Sequence, residues 1–96
     1  MSKYSELILV LKQARYLLAL PGNDFAWSSW ENADAALAEI DDLLSDLRRD
    51  ILPDKLTLTV LFAPTGPIQE VSLSSGWAKP FLELAERLDS AITKCA

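Results

Sequence analysis

The sequence predicts an α+β domain with the order α-α-β-β-α, and three patterns along the chain indicate that order. Apolar residues recur at steps of three and four in the segments that surround residues 4–18, 30–51 and 77–95, which is the spacing of one helix face. Between the second and third of these segments, residues 56–62 and 68–73 have the alternation or composition typical of strands. We therefore expect an antiparallel helical hairpin and a C-terminal helix packed on a two-stranded antiparallel hairpin.

The first predicted helix begins near Ser2 or Ser5 and ends at Leu20, because the following Pro21-Gly22 stops helices and begins turns. Its apolar residues cover more than one stripe, so we expect neighbours on two of its sides. The connection to the next helix is short, which predicts that the two helices run antiparallel.

The second predicted helix spans residues 29–51 and is the most regular segment of the chain. Ser28 and Glu31 match a capping box at its start, and Pro53 marks its end. Its apolar residues form one seam, which we expect to face the first helix. The seam consists of Trp30, Ala33, Leu37, Ile40, Leu44, Leu47 and Ile51.

The two predicted strands make a hairpin around a proline-rich turn at residues 63–67. In this interpretation Leu61 and Ile68 lie on the outer face. A two-stranded ribbon has unpaired edges and is marginally stable alone, so either helices cover the edges or another chain extends the sheet. The second alternative predicts a homodimer through Leu61 and Ile68. The residues expected to face the core are Leu56, Leu58, Val60, Phe62, Val71 and Leu73.

The charge of the chain is concentrated in one segment. The net charge is −5, and residues 29–50 carry seven acidic residues against Arg48 and Arg49, so the whole excess lies in the second predicted helix. Binding to the backbone of DNA or RNA needs a basic patch, so we do not expect a nucleic-acid partner. An acidic helix favours a basic protein as the partner.

Length and cysteine content indicate the class of protein. The 96 residues fit one domain, residues 1–96. The single cysteine, Cys95, excludes a disulfide within the chain, and no apolar signal core follows the N-terminus. The apolar run at residues 7–11 is far shorter than the roughly 20 residues that span a bilayer. We expect a cytoplasmic protein that does not associate with membranes.

The composition excludes the commonest catalytic and metal sites. The chain has no histidine, which removes the usual general base and the usual transition-metal ligand. The acidic residues of the second helix lie on a helix face, which cannot wrap a calcium ion. The proline-rich turn lacks the backbone N–H groups of a phosphate-binding loop. We therefore predict no enzyme, no catalytic residue, no metal and no cofactor.

The best candidate for a binding site is the acidic face of the second helix. Glu39, Asp42 and Asp46 share one strip by their spacing, and Asp34 flanks it. Like charges at this spacing cost a helix a few tenths of a kcal/mol per pair, and such a local conflict sometimes marks a functional surface. The alternative interpretation is a solvated face that keeps the protein soluble.

The leading hypothesis is a small accessory, immunity or inhibitor protein of bacterial type that binds a basic partner through this acidic face. Phe25 and Trp27, in the loop before the helix, are the expected aromatic anchors. One alternative is a self-assembling structural subunit that uses the hairpin edge. A further alternative is a small-molecule binder in a groove between the hairpin and the last helix, lined by Gln69 or Tyr16.

Overall fold

The computed structural model describes residues 4–25, 28, 30–63 and 66–95. In this part of the chain every regular element is an α helix and no strand forms, so the predicted α+β class is wrong. The helices are α1 (Ser5–Leu18), α2 (Ala33–Arg48), α3 (Lys55–Leu61), α4 (Pro67–Ser75) and α5 (Ala78–Cys95).

Helix α1 lies at the centre of the molecule. It packs against α2 on one side and α5 on another, and α4 packs against α5. The expectation that the first helix has neighbours on two sides is confirmed, because its apolar residues are wide enough to serve both contacts. Its fully buried residues are Leu7, Val10, Leu11, Ala14 and Leu18.

Helix α2 begins later than the sequence predicts. Asn32, rather than Ser28, is the N-cap, and its side-chain oxygen accepts a hydrogen bond of 2.9 Å from the backbone N–H of Ala35. The hydroxyl of Ser28 instead accepts from the backbone N–H of Trp30 at 3.2 Å, which is a local turn. The predicted capping box is therefore replaced by a turn followed by an asparagine cap.

The C-terminus of α2 also differs from the prediction. The helix ends at Arg48, and Asp50 takes a left-handed conformation with φ of 58°. The backbone N–H of Ile51 then donates to the carbonyl of Asp46 at 2.9 Å, as in a Schellman ending. Ile51 consequently leaves the predicted seam and is 49% exposed, while Ile40, Leu44 and Leu47 are buried as expected.

Residues predicted as the first strand form helix α3. Asp54 caps it by accepting a hydrogen bond of 2.8 Å from the backbone N–H of Leu56. The buried residues are Leu58, Leu61 and Phe62, at the i, i+3, i+4 spacing of a helix face. The alternation of apolar residues through this segment was therefore misleading: Leu58 and Phe62 are buried, but Leu56 and Val60 are exposed.

Residues predicted as the second strand form helix α4. Gly66 is its N-cap and Pro67 its first residue, a position where the missing N–H of proline has no cost. Ile68 and Val71 are buried at helical spacing, while Leu73, expected to face the core, is 63% exposed. Gly76 ends the helix with φ of +86°, which glycine adopts without strain.

One asparagine ties three parts of the fold together. The Nδ2 of Asn23 donates to the backbone carbonyls of Leu17 (2.8 Å) and Leu18 (3.0 Å) at the end of α1. Its Oδ1 accepts a hydrogen bond of 2.9 Å from the indole N–H of Trp77, just before α5. This side chain completes the end of α1 and holds it against the junction of α4 and α5.

Candidate functional site

An open groove of about 610 Å³ lies between α2 and α3, and we call it the α2–α3 groove. Most of its lining is apolar, and one carboxylate stands among the lining side chains. The described residues that line it are Trp30, Glu39, Leu43, Leu56, Thr57, Val60, Leu61 and Pro67.

The α3 side of the groove presents two exposed apolar side chains. Leu56 is 67% exposed and Val60 is 54% exposed, and they lie one helical turn apart. They face outward because the opposite side of this short helix, with Leu58 and Leu61, is used by the core. Covering Leu56 and Val60 with a partner would remove apolar surface from water and thereby favour association.

On the α2 side, the groove joins an aromatic wall to a carboxylate. Trp30 is buried, with 8% of its surface exposed, and its indole N–H donates a 2.8 Å hydrogen bond to Oε2 of Glu39. This bond satisfies the indole donor and fixes the position of the carboxylate. The other Glu39 oxygen and the net charge of the group remain available to a cationic group at the groove edge.

Glu39 begins a row of three acidic residues on one side of α2, which we call the acidic strip. Asp42 and Asp46 follow at i+3 and i+7, on the same side of α2 as Glu39. Asp46 pairs with the guanidinium of Arg49 at 3.0 Å, with both side chains partly exposed, and such surface pairs contribute little to stability. The acidic strip therefore reaches the apolar groove through Glu39, and only part of its charge is balanced.

Asp34 lies one helix side further around α2 than the acidic strip. At 3.6 residues per turn it is about 80° around the helix axis from Asp42 and about 140° from Glu39. The expectation that Asp34 takes part in partner binding as a flanking residue stays a prediction.

Asp41 forms an ion pair that joins α2 to α1. Its carboxylate accepts two hydrogen bonds from Arg15 on α1, of 2.6 Å from Nε and 3.2 Å from Nη2. These hydrogen bonds lower the pKa of Asp41; desolvation opposes them, and the positive charges of Arg15 and Arg48 add to the lowering. The acidic face is therefore divided between a pair that joins α1 to α2 and the strip beside the groove.

Of the two expected aromatic anchors the structure describes Phe25, which does not lie beside the acidic strip. Phe25 is partly buried against the core and lines a separate cleft at the connection between α1 and α2. Trp27 lies outside the described residues. Trp30, which the sequence assigned to the core seam, is indeed buried and is also the aromatic residue that lines the groove.

Leu61 and Ile68 do not have the placement on which the dimer prediction depended. Leu61 is 5% exposed and Ile68 is fully buried, each on the inner face of a helix. Leu61 and Ile68 were expected on the outer face because successive residues of a strand point to opposite faces. In the helices that form instead, both residues face the core. With no strand in the described ranges, the predicted sheet edge has no counterpart there.

The residues considered for a small-molecule site are not brought together. Tyr16 is 68% exposed and borders a cleft between α1 and α5. Gln69 lies on α4, and its Oε1 is buried without a hydrogen-bond partner in the described part of the chain. The sequence predicted a groove lined by Gln69 or Tyr16, and the cleft beside the last helix is lined by Tyr16 and not by Gln69.

The residues that the structure describes form neither a metal-binding cluster nor a membrane-spanning helix. No group of three or more histidine, cysteine, aspartate or glutamate side chains is arranged to hold a metal ion. No helix there combines the length and the apolar character needed to cross a membrane.

The sequence interpretation missed the apolar half of the site. Leu56 and Val60 were expected to face the core because, with Leu58 and Phe62, they are the apolar residues at every second position of the predicted strand. The signal that identifies the helix is Asp54 at an N-cap position, followed by Leu58, Leu61 and Phe62 at helical spacing. A helix that begins at this N-cap and buries Leu58, Leu61 and Phe62 places Leu56 and Val60 on its exposed side.

No protein-family model, no curated protein and no solved structure matches this chain. Function is therefore argued from the geometry and chemistry of the site itself.

Proposed function

We propose that this chain is a non-enzymatic protein-interaction module that binds a basic partner protein at the α2–α3 groove, with the acidic strip facing the partner's cations. The observation that supports this function is the juxtaposition of two features on one surface. Glu39, the first residue of the acidic strip, lines the same groove as Leu56 and Val60, which are both more than half exposed.

The two features have complementary physical roles. Carboxylates at the edge of an interface accelerate association with a positively charged surface and disfavour acidic competitors. Apolar side chains that become buried at its centre supply most of the affinity. A solvated acidic face alone explains the charge, but it does not explain why exposed leucine and valine lie directly beside it.

We also propose the cytoplasm as the compartment in which this binding occurs. The proposal is supported by the single cysteine of the sequence, which cannot form a disulfide within one chain.

The function is tested by changing the charge of the strip without removing the acceptor for Trp30. The variant carries Glu39→Gln, Asp42→Lys and Asp46→Lys, because glutamine retains a side-chain oxygen that accepts from the indole N–H. We expect affinity capture from a lysate of the source organism to recover a basic protein with the wild-type chain and to lose it with this variant. The captured protein, once purified, should bind more weakly as salt rises.

A matched control makes the same change in formal charge on other faces of the molecule. It carries Glu83→Lys, Glu86→Gln and Asp89→Lys, all at exposed positions on α5. The control should retain the partner that the strip variant loses. If the wild-type chain and both variants capture the same proteins in equal amounts, the acidic strip is only a solvated surface and the proposed function is wrong.

A further inference from the structure

The α2–α3 groove is bounded by two ridges of helical side chains. On α2, Glu39 and Leu43 are four residues apart, and on α3, Leu56 and Val60 are four residues apart. Rows of residues at this spacing form the ridges and grooves by which helices pack on one another. The surface is therefore shaped to receive the ridge of a third helix.

Other modes of peptide recognition fit the groove less well. Addition of a strand requires an unpaired sheet edge, and the described residues form no sheet. A polyproline segment docks between exposed aromatic rings, whereas Trp30 is almost completely buried. A helix satisfies its own backbone hydrogen bonds and needs only side-chain contacts, which are what this groove provides.

Two further occupants are disfavoured by charge and shape. A second copy of the chain packed face to face would bring one acidic strip toward another, since a two-fold interface uses the same patch twice. A small molecule usually loses most of its surface to an enclosed pocket, whereas this groove is open along its length. A cationic macromolecular segment matches both the opening and the charge.

We infer that the partner segment is a basic amphipathic α-helix that places its apolar stripe against Leu56 and Val60 and its lysines or arginines along the acidic strip. This inference rests on the proposed function and specifies the kind of segment that is recognised. The partner helix supplies the ridge that fills the groove, and its cations face Glu39 and Asp42.

The probe is a dye-labelled synthetic peptide of about 18 residues, which is long enough to form a helix on binding. Leucines are placed on one helical stripe and lysines elsewhere. A second peptide has the same composition, but its leucines alternate with lysines, so that no helical stripe can form. Binding of each peptide to the full chain is followed by fluorescence anisotropy, and helix formation by circular dichroism.

The protein variants separate the groove from other exposed apolar residues. Leu56→Gln with Val60→Gln removes the apolar groove surface and, because both positions are exposed, leaves the core unchanged. The matched control is Leu73→Gln with Leu82→Gln, on α4 and α5, where the leucines are 63% and 57% exposed. We expect at least about a tenfold loss of affinity for the striped peptide in the groove variant and no loss in the control.

The outcomes distinguish this inference from the proposed function. Preference for the striped peptide, gain of helix and loss in the groove variant alone would support the inference. Equal binding of both peptides, weakened both by the charge changes of the acidic strip and by the changes in the groove, would overturn the inference and leave the proposed function standing. Equal binding that neither set of changes affects would contradict both.

Discussion

Replacing Gly66 by alanine tests the account of how α3 and α4 are joined. Gly66 has φ of −84° and ψ of 173°, which alanine adopts without strain, so its backbone conformation does not require glycine. The requirement comes from the close approach of three carbonyl oxygens. An added Cβ would clash with the oxygen of Val60 and would lie 3.1 Å from that of Leu61 and 3.2 Å from that of Ala63.

The expected loss of stability follows from these contacts. Overpacking costs about 1–3 kcal/mol, and the upper part of that range applies here because the obstructing atoms belong to the backbone of a helix end. The lower entropy of the unfolded alanine chain returns about 0.4–1 kcal/mol. We expect a net loss of about 2 kcal/mol in the free energy of unfolding, which lowers Tm by about 8–16 °C for a domain of this size.

Gly22 provides the matched control, since an added Cβ there would meet nothing within 4 Å but its φ is +86°. Gly22→Ala should cost about 1–2 kcal/mol through its left-handed backbone alone. Far-UV circular dichroism during heating and urea titration measures both variants. If Gly66→Ala unfolds at the wild-type temperature while Gly22→Ala is destabilised, the claim that the carbonyl oxygens around Gly66 leave no room for a Cβ is wrong.

Two further predictions concern polar contacts between helices. Asn23→Ala should lower the free energy of unfolding by about 1–3 kcal/mol, because the buried indole N–H of Trp77 and the end of α1 lose their partner. Urea unfolding followed by tryptophan fluorescence measures this loss, and an unchanged midpoint would contradict the prediction. Asp41→Asn should destabilise the protein at neutral pH, because Arg15 lowers the folded-state pKa of Asp41 and so stabilises the fold above the unfolded value of about 3.9. The difference from wild type should vanish as the pH falls through the lower folded-state pKa, and a gap in Tm that persists in acid would count against this ion pair.

The three long helices were predictable because their apolar periodicity continues over several turns. Spacing of three and four residues cannot be confused with alternation when it is repeated that often. Their ends were less accurate, since the choice between Ser28 and Asn32 as the cap of α2 depends on tertiary packing.

The two short helices could not be distinguished from strands by pattern alone. In α3, Leu58 and Phe62 fit both a period of two and a helical spacing, and the threonines between them favoured a strand. The core formed by the long helices decides the outcome, because it accepts Leu58, Leu61 and Phe62 from one helix face. The charged half of the candidate site was therefore visible in the sequence, whereas its apolar half depended on whether residues 55–61 form a strand or a helix.

The central position of α1 imposes an order on folding. Helix α1 is synthesised before the other four helices and completes its packing only when α5 has docked against it. The α1–α2 hairpin joins segments that are close in sequence, whereas the α1–α5 contact closes nearly the whole chain and is the slower step. Until that step, the side of α1 that α5 covers is exposed to other nascent chains, so delayed docking of α5 is the stage at which misfolding and aggregation compete with the native fold.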